Sequence, residues 1–275
     1  MKPARRTLAV VLVVCIGVSA LVHGAWDEQP EDQTSYIYDI NGNEIYDFEF
    51  AKQIAKQTAV TGFDNLTFIF AQCHSGGMLD DLRDTLAPLG NIALLSSSPY
   101  DGTATIWNHW VDPNGFSSQE SYYTYLIAEG LSLSGGNALT MRELSERTDS
   151  RNPIGGKETY QSLFLGEADK IRLGQTSSGK EIPPERRFAL LFLGERLDTI
   201  WAKAGLDHIH AVLLDQGYLA DNILVLASTS TGAARNAFGP GTREALSEAL
   251  EYIFTQGRMG PDASFLFWTK GHGDQ

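Results

Sequence analysis

Cysteine is almost missing from this chain: Cys15 and Cys73 are the only two among 275 residues. A disulfide framework is therefore excluded as the source of stability, and the length suffices for a core without staples. Basic charge is also scarce, with 21 Lys and Arg against 34 Asp and Glu and a net charge of −13. A nucleic-acid binder needs a cationic face, so nucleic acid is excluded as a partner. With 43% hydrophobic and 20% charged residues, the composition is that of a folded globular chain and not of a disordered one. No phosphate-cradling loop, dinucleotide fingerprint or serine nucleophile elbow occurs.

Long apolar runs are absent except at the start. Lys2, Arg5 and Arg6 precede an uncharged run of 15 residues, Leu8 to Val22. A bilayer span needs about 20 such residues, so the run reads as a secretory signal over residues 1–24, with cleavage before Ala25. A retained signal anchor is the alternative, and only then does the chain meet a membrane. In both cases the remainder is exported, to a secreted, periplasmic or cell-envelope location. Cys15 belongs to this segment, which leaves Cys73 as a single thiol in an oxidising compartment. Such a thiol is either reactive or bridged to another chain.

Beyond the signal, short apolar runs alternate with amphipathic ones. Residues 36–40 and 44–46, separated by Asn41-Gly42, predict a hairpin with a type I′ turn. A nearly continuous apolar run at 65–71 predicts a strand buried on both faces, 91–95 predicts another buried strand, and 188–193, 222–227 and 264–269 predict further strands. Helices are predicted over 48–58, 78–86, 121–131, 140–148, 197–216 and 242–255. The polar stretch 174–187, with two Pro and two Gly, is the linker candidate. Strands alternating with helices imply an α/β fold with a mainly parallel sheet, helices on both faces and ligand sites beyond the strands' carboxyl ends.

Two chemistry-bearing residues follow directly on predicted strands: Cys73 and His272. Ser75, Gly76 and Gly77 permit a sharp turn after the thiol, and the helix beyond directs its positive end at the sulfur. An imidazole can hand a proton to a leaving amine. His208 and His210, at i and i+2 of a helix, do not share a face, and Glu44 stands where a calcium loop needs Gly, so no metal is expected.

The segment Phe68-Ile69-Phe70-Ala71-Gln72-Cys73-His74-Ser75-Gly76-Gly77-Met78 resembles the nucleophile motif of caspase-like cysteine peptidases, the group of legumains, metacaspases and caspases. Phe265-Leu266-Phe267-Trp268-Thr269-Lys270-Gly271-His272-Gly273 resembles the group's histidine motif. Asp207-His208-Ile209-His210-Ala211 and the residues to Ile223 are similar to the first helix and second strand of the legumain-like branch. The resemblance implies a three-layer α/β/α sandwich and a cofactor-free endopeptidase acting on peptide or protein substrates through a thioester. It implies Cys73 as nucleophile, His272 as general acid and base, and the N–H groups of Cys73 and Gly273 as the oxyanion hole. Arg196, Lys203, Ser97 and Ser98 are its candidate substrate contacts, and Ala71 stands where metacaspases carry an Asp, which argues against a basic P1 residue.

The order of the halves departs from the group. Here the Cys-bearing half (35–173) precedes the His-bearing half (188–275), whereas the group has them reversed. The expectation is a circular permutation in which 174–187 joins the old termini and both halves form one domain. A truncated tandem, or halves exchanged between two chains, are the competing accounts. Functional alternatives are an inactive caspase-like binding module, or a transpeptidase using the same acyl-enzyme.

Overall fold

A computed structural model describes residues 34–104, 110–111, 117–118, 121–152, 159–194, 200–228, 238–255 and 259–274. The signal segment and Arg196 lie outside these. In chain order the elements are β1 (Tyr36–Tyr38), β2 (Glu44–Tyr46), α1 (Asp47–Thr61), β3 (Asn65–Ala71), α2 (Gly77–Leu86) and β4 (Asn91–Ser96). They continue with β5 (Trp110–Val111), β6 (Ser117–Ser118), α3 (Tyr122–Leu131), α4 (Met141–Ser150) and β7 (Gln161–Leu165). The chain closes with β8 (Arg187–Leu193), α5 (Ile200–Asp215), β9 (Ile223–Leu226), α6 (Arg243–Thr255), β10 (Ser264–Lys270) and β11 (Gly273–Asp274).

Six strands form one sheet in the order β7-β4-β3-β10-β8-β9. Every pairing is parallel except β4 with β7. All residues of β3, β8, β9 and β10 are buried, which is why those runs read as continuously apolar. Alternation along β10 divides the core: Phe265 and Phe267 face Phe50 of α1, Leu79 and Leu82 of α2 and Leu250 of α6. Leu266 and Trp268 face Ile127 of α3, Met141 of α4 and Leu206 and Leu213 of α5. Helices thus cover both faces of a mixed α/β sheet. The Phe50 ring lies 4.9 Å from Phe267 and 6.1 Å from Phe68, so adjacent central strands share one aromatic cluster. Burying each such ring contributes about 2–3 kcal/mol.

Strands from the two halves of the sequence are hydrogen-bonded neighbours: β10 lies between β3 and β8, with Ala71 opposite Lys270 and Lys270 opposite Leu193. After β3 the chain enters α2 on one face, and after β8 it enters α5 on the other. Diverging connections of this kind open a crevice at the carboxyl ends. The 174–187 segment runs at the opposite end of the strands, held by Asn65 Nδ2 donating to Gln175 O at 2.9 Å and Ser177 N to Asp64 Oδ2 at 2.9 Å. Buried Arg187 ties it down, donating to Ile182 O and Gln216 O, each at 2.6 Å, and to Glu181.

One local expectation is corrected and one element is added. The first hairpin has a three-residue loop, Ile40 to Gly42, and not the two-residue turn, because Asp39 N donates to Asn43 O and Gly42 N to Asp39 O. The Asp39 carboxylate, taking N–H groups from Asn41 and Asn43, favours the longer loop, and Gly42 supplies the left-handed φ of 82°. The tail is also a strand. Tyr36 pairs with Asp274 and Ile37 with Gly273, which makes a second, three-stranded sheet, β11-β1-β2, above the crevice.

Candidate active site

Cys73 leaves β3 through a tight turn over residues 72–76 that is strapped to the end of β4. Ser97 Oγ and Ser98 Oγ both donate to Gln72 O at 3.0 Å, and Ser75 N donates to Ser98 Oγ at 3.2 Å. The Ser75 hydroxyl lies 2.8 Å from that of Ser96, so four buried serines form one network beneath the thiol. Ser97 and Ser98, candidate substrate contacts by sequence, therefore hold the backbone just before Cys73 and are 1% and 0% exposed.

Next to the thiol, His74 adopts φ 55°, a left-handed conformation that a non-glycine residue holds only when its surroundings enforce it. The enforcing contacts are visible. His74 N donates to Gly102 O at 2.9 Å, and Nδ1, 2.6 Å from the Tyr100 carbonyl, must carry the proton there. The Ser35 hydroxyl donates to His74 O at 3.3 Å. Gly76 and Gly77 are required by space, since added Cβ atoms would lie 2.7 Å from Tyr100 N and 2.7 Å from Ser35 Cβ. The first amides of α2 are partly used, with Gly77 N donating to His74 O and Met78 N to Ser75 O, both at 3.2 Å. Cys73 itself is half-buried, its Sγ 3.7 Å from Ala104 O.

His272 is exposed and stands opposite Tyr38, whose N–H donates to its carbonyl oxygen at 3.0 Å. That bond makes Ile37 and Gly273 the non-hydrogen-bonded pair of the ladder, so the Gly273 N–H points away from β1. A Cβ at Gly273 would overlap the Cys73 carbonyl oxygen and lie 3.2 Å from Gln72 Cγ. The backbones of the Cys and His-Gly segments are therefore in direct contact, two residues beyond the paired end of β3 and three beyond that of β10. Gly273→Ala is expected to cost about 1–3 kcal/mol through this overlap. Chemical denaturation measures it, and an unchanged midpoint would contradict the contact.

The other predicted residues fall elsewhere. Lys203 lies on α5, its Nζ 3.9 Å from Asp207 Oδ2, and is 41% exposed. Arg196 is among the residues not described. Sequence reasoning missed three groups that border the site. Gln72 is 2% exposed, and neither amide atom of its side chain has a hydrogen-bond partner among the described residues. Asp47, fully buried at the start of α1, accepts from Ser35 N at 2.5 Å and from Phe48 N at 2.8 Å. Burial pushes its carboxyl up to about 7, the Asp81 carboxyl adding to the shift while those two N–H groups oppose it. Tyr36 and Tyr38 form the third group. Only the aromatic alternation of residues 36–38 hinted at any of these in the sequence.

Comparison of the chain with family models, curated proteins and solved structures finds no match.

Proposed function

We propose that this chain is a cysteine endopeptidase of caspase-like fold with its two halves in permuted order. The observation that carries the reading is the contact of Gly273 with the Cys73 carbonyl, which brings the two motifs together across the neighbouring strands β3 and β10. The permuted order draws support from the pairing of β11 with β1. A ring of elements opened once in the loop after the histidine strand leaves its ends side by side, as these are, while 174–187 spans the far end.

In this reading the Cys73 thiolate attacks the scissile carbonyl carbon and forms a C–S bond. The carbonyl oxygen takes the negative charge and is met by the N–H groups of Cys73 and Gly273. Collapse breaks the C–N bond as the His272 imidazolium passes its proton to the departing amine, which leaves a thioester. His272 then takes a proton from water, whose oxygen attacks the thioester carbon and releases thiolate and carboxylic product. The serine network and the strained His74 keep the sulfur at the strand end throughout. A peptide amine in place of that water gives transpeptidation.

The test is covalent labelling. A peptidyl acyloxymethyl ketone is expected to add to the protein at Cys73, identified by mass spectrometry, and to fail with Cys73→Ala. A folded protein that stays unlabelled by a panel of such probes would overturn the peptidase and leave a binding module.

A further inference from the structure

The sheet β11-β1-β2 buries Ile37 and Ile45 and turns the alternate residues outward. Tyr36, Tyr38, Glu44 and Tyr46 share that outer side, with Asp274 directly opposite Tyr36. The rings form a continuous strip: Tyr36 lies 5.2 Å from Tyr38 and 5.6 Å from Tyr46, both edge-on, and Tyr46 stacks on Phe48 at 5.5 Å. None of the three tyrosines is buried. At one end, beside Tyr38, stands His272.

Three observations give this strip one preferred ligand chemistry. Aromatic faces are electron-rich and attract cations. The Tyr36 hydroxyl is kept neutral chiefly by its hydrogen bond with Tyr38 and by partial burial, and the Asp274 and Glu44 carboxylates add to the shift, which puts both within electrostatic reach of the ring. The far end of the strip already carries a cation of the chain's own, with Lys52 Nζ 5.1 Å over the Phe48 ring. Arg243, the other neighbouring cation, is paired with Glu49 at 2.8 Å and donates to the Glu44 carbonyl oxygen at 3.3 Å, at the Tyr46 end of the strip. Among the described residues no cation lies over the Tyr36 or Tyr38 ring.

We propose that Tyr36, Tyr38 and Tyr46, with Glu44 and Asp274, bind a Lys or Arg side chain of the substrate at a position away from the cleaved bond. The assignment rests on the peptidase reading for its occupant, but not for its chemistry. The cationic side chain lies on the Tyr36 ring between the two carboxylates. The acidic charge of the whole chain adds long-range attraction for such segments.

Binding is measured apart from cleavage, on the Cys73→Ala protein, by fluorescence anisotropy. The probes are fluorescein-labelled Gly/Ser/Ala nonapeptides holding two Lys, or norleucine or Glu at the same positions. The Lys peptide is expected to bind at least about ten-fold more tightly than either control, with the preference weakening as salt rises. Tyr36→Leu is expected to abolish the preference, Tyr36→Phe to keep it, and Glu44→Gln with Asp274→Asn to reduce it. Equal binding of Lys and norleucine peptides, or a preference that survives Tyr36→Leu, would overturn the site. If the preference holds while wild-type protein resists probe labelling, the cation site stands and the peptidase reading fails.

Discussion

Cys73→Ala is expected to bring peptide hydrolysis down to background, and His272→Ala to lower kcat by about 10²–10⁴-fold. The two losses are not additive. Without sulfur there is no acyl-enzyme for the imidazole to serve, so the double variant equals Cys73→Ala alone. Neither substitution disturbs the core: Cys73 is half-buried, its Sγ 3.7 Å from Ala104 O, and His272 is exposed. Both variants are therefore expected to unfold within about 1 kcal/mol of wild type. The comparison uses a fluorogenic peptide for kcat and KM and a denaturant series for stability. Full activity in a folded His272→Ala protein would remove the imidazole from the mechanism, whatever the thiol does.

The second large effect is on stability against pH, and Asp47 is its source. Its carboxyl is raised from an ordinary 3.8 to about 7, first by burial and then by the Asp81 carboxyl. Asp80 on α2 is raised to about 6, again mainly by burial. A folded-state pKa above the unfolded value means that the native protein binds the extra proton. The contribution is thus fully present below about pH 4 and is lost as pH rises through 6 to 7. Asp47, the more strongly raised of the two, carries the larger share of that loss. Asp39 works the other way. Burial pushes its carboxyl up, but hydrogen bonds from Asn43, the Arg243 amide and the Asn41 amide outweigh it and hold the group below 3.8. Its share is present above pH 4 and is lost in acid.

The melting temperature is therefore expected to peak between about pH 4 and 6 and to fall toward pH 8. Asp47→Asn is expected to flatten the falling limb, and an unchanged limb would show that the carboxyl ionises freely in the folded state. The consequence extends to the thiol segment. Asp47 accepts the Ser35 amide, and Ser35 in turn donates its hydroxyl to His74 O, one residue from Cys73.

Several features were legible from the residues alone. The run Asn65–Ala71 reads as a strand buried on both faces because Leu66, Phe68 and Phe70 supply one face and Ile69 and Ala71 the other, with only Asn65 and Thr67 polar, and all seven residues are buried. The helix after Cys73 begins where glycine allows the turn, at Gly77. Other features were not legible. The strand Gln161–Leu165 has only three apolar residues and gains its partner, antiparallel to β4, from a segment about 70 residues earlier. The four-serine network joins Ser75 to Ser96, Ser97 and Ser98, and nothing local to either stretch signals the other. Likewise the burial of Asp47 depends on Ser35 and α2 closing over it.

By itself the sequence determined the six long helices and the buried central strands, that both sheet faces are covered, and that a thiol and a histidine each follow a buried strand. Those properties rest on periodicity and composition within a few residues. Only the tertiary structure decided that β10 sits beside β3, that the tail returns to pair with β1, and that Gly273 meets the Cys73 carbonyl. Strand order and register are set by packing and backbone hydrogen bonding between distant segments, whose energy belongs to the pair and is written in neither segment alone.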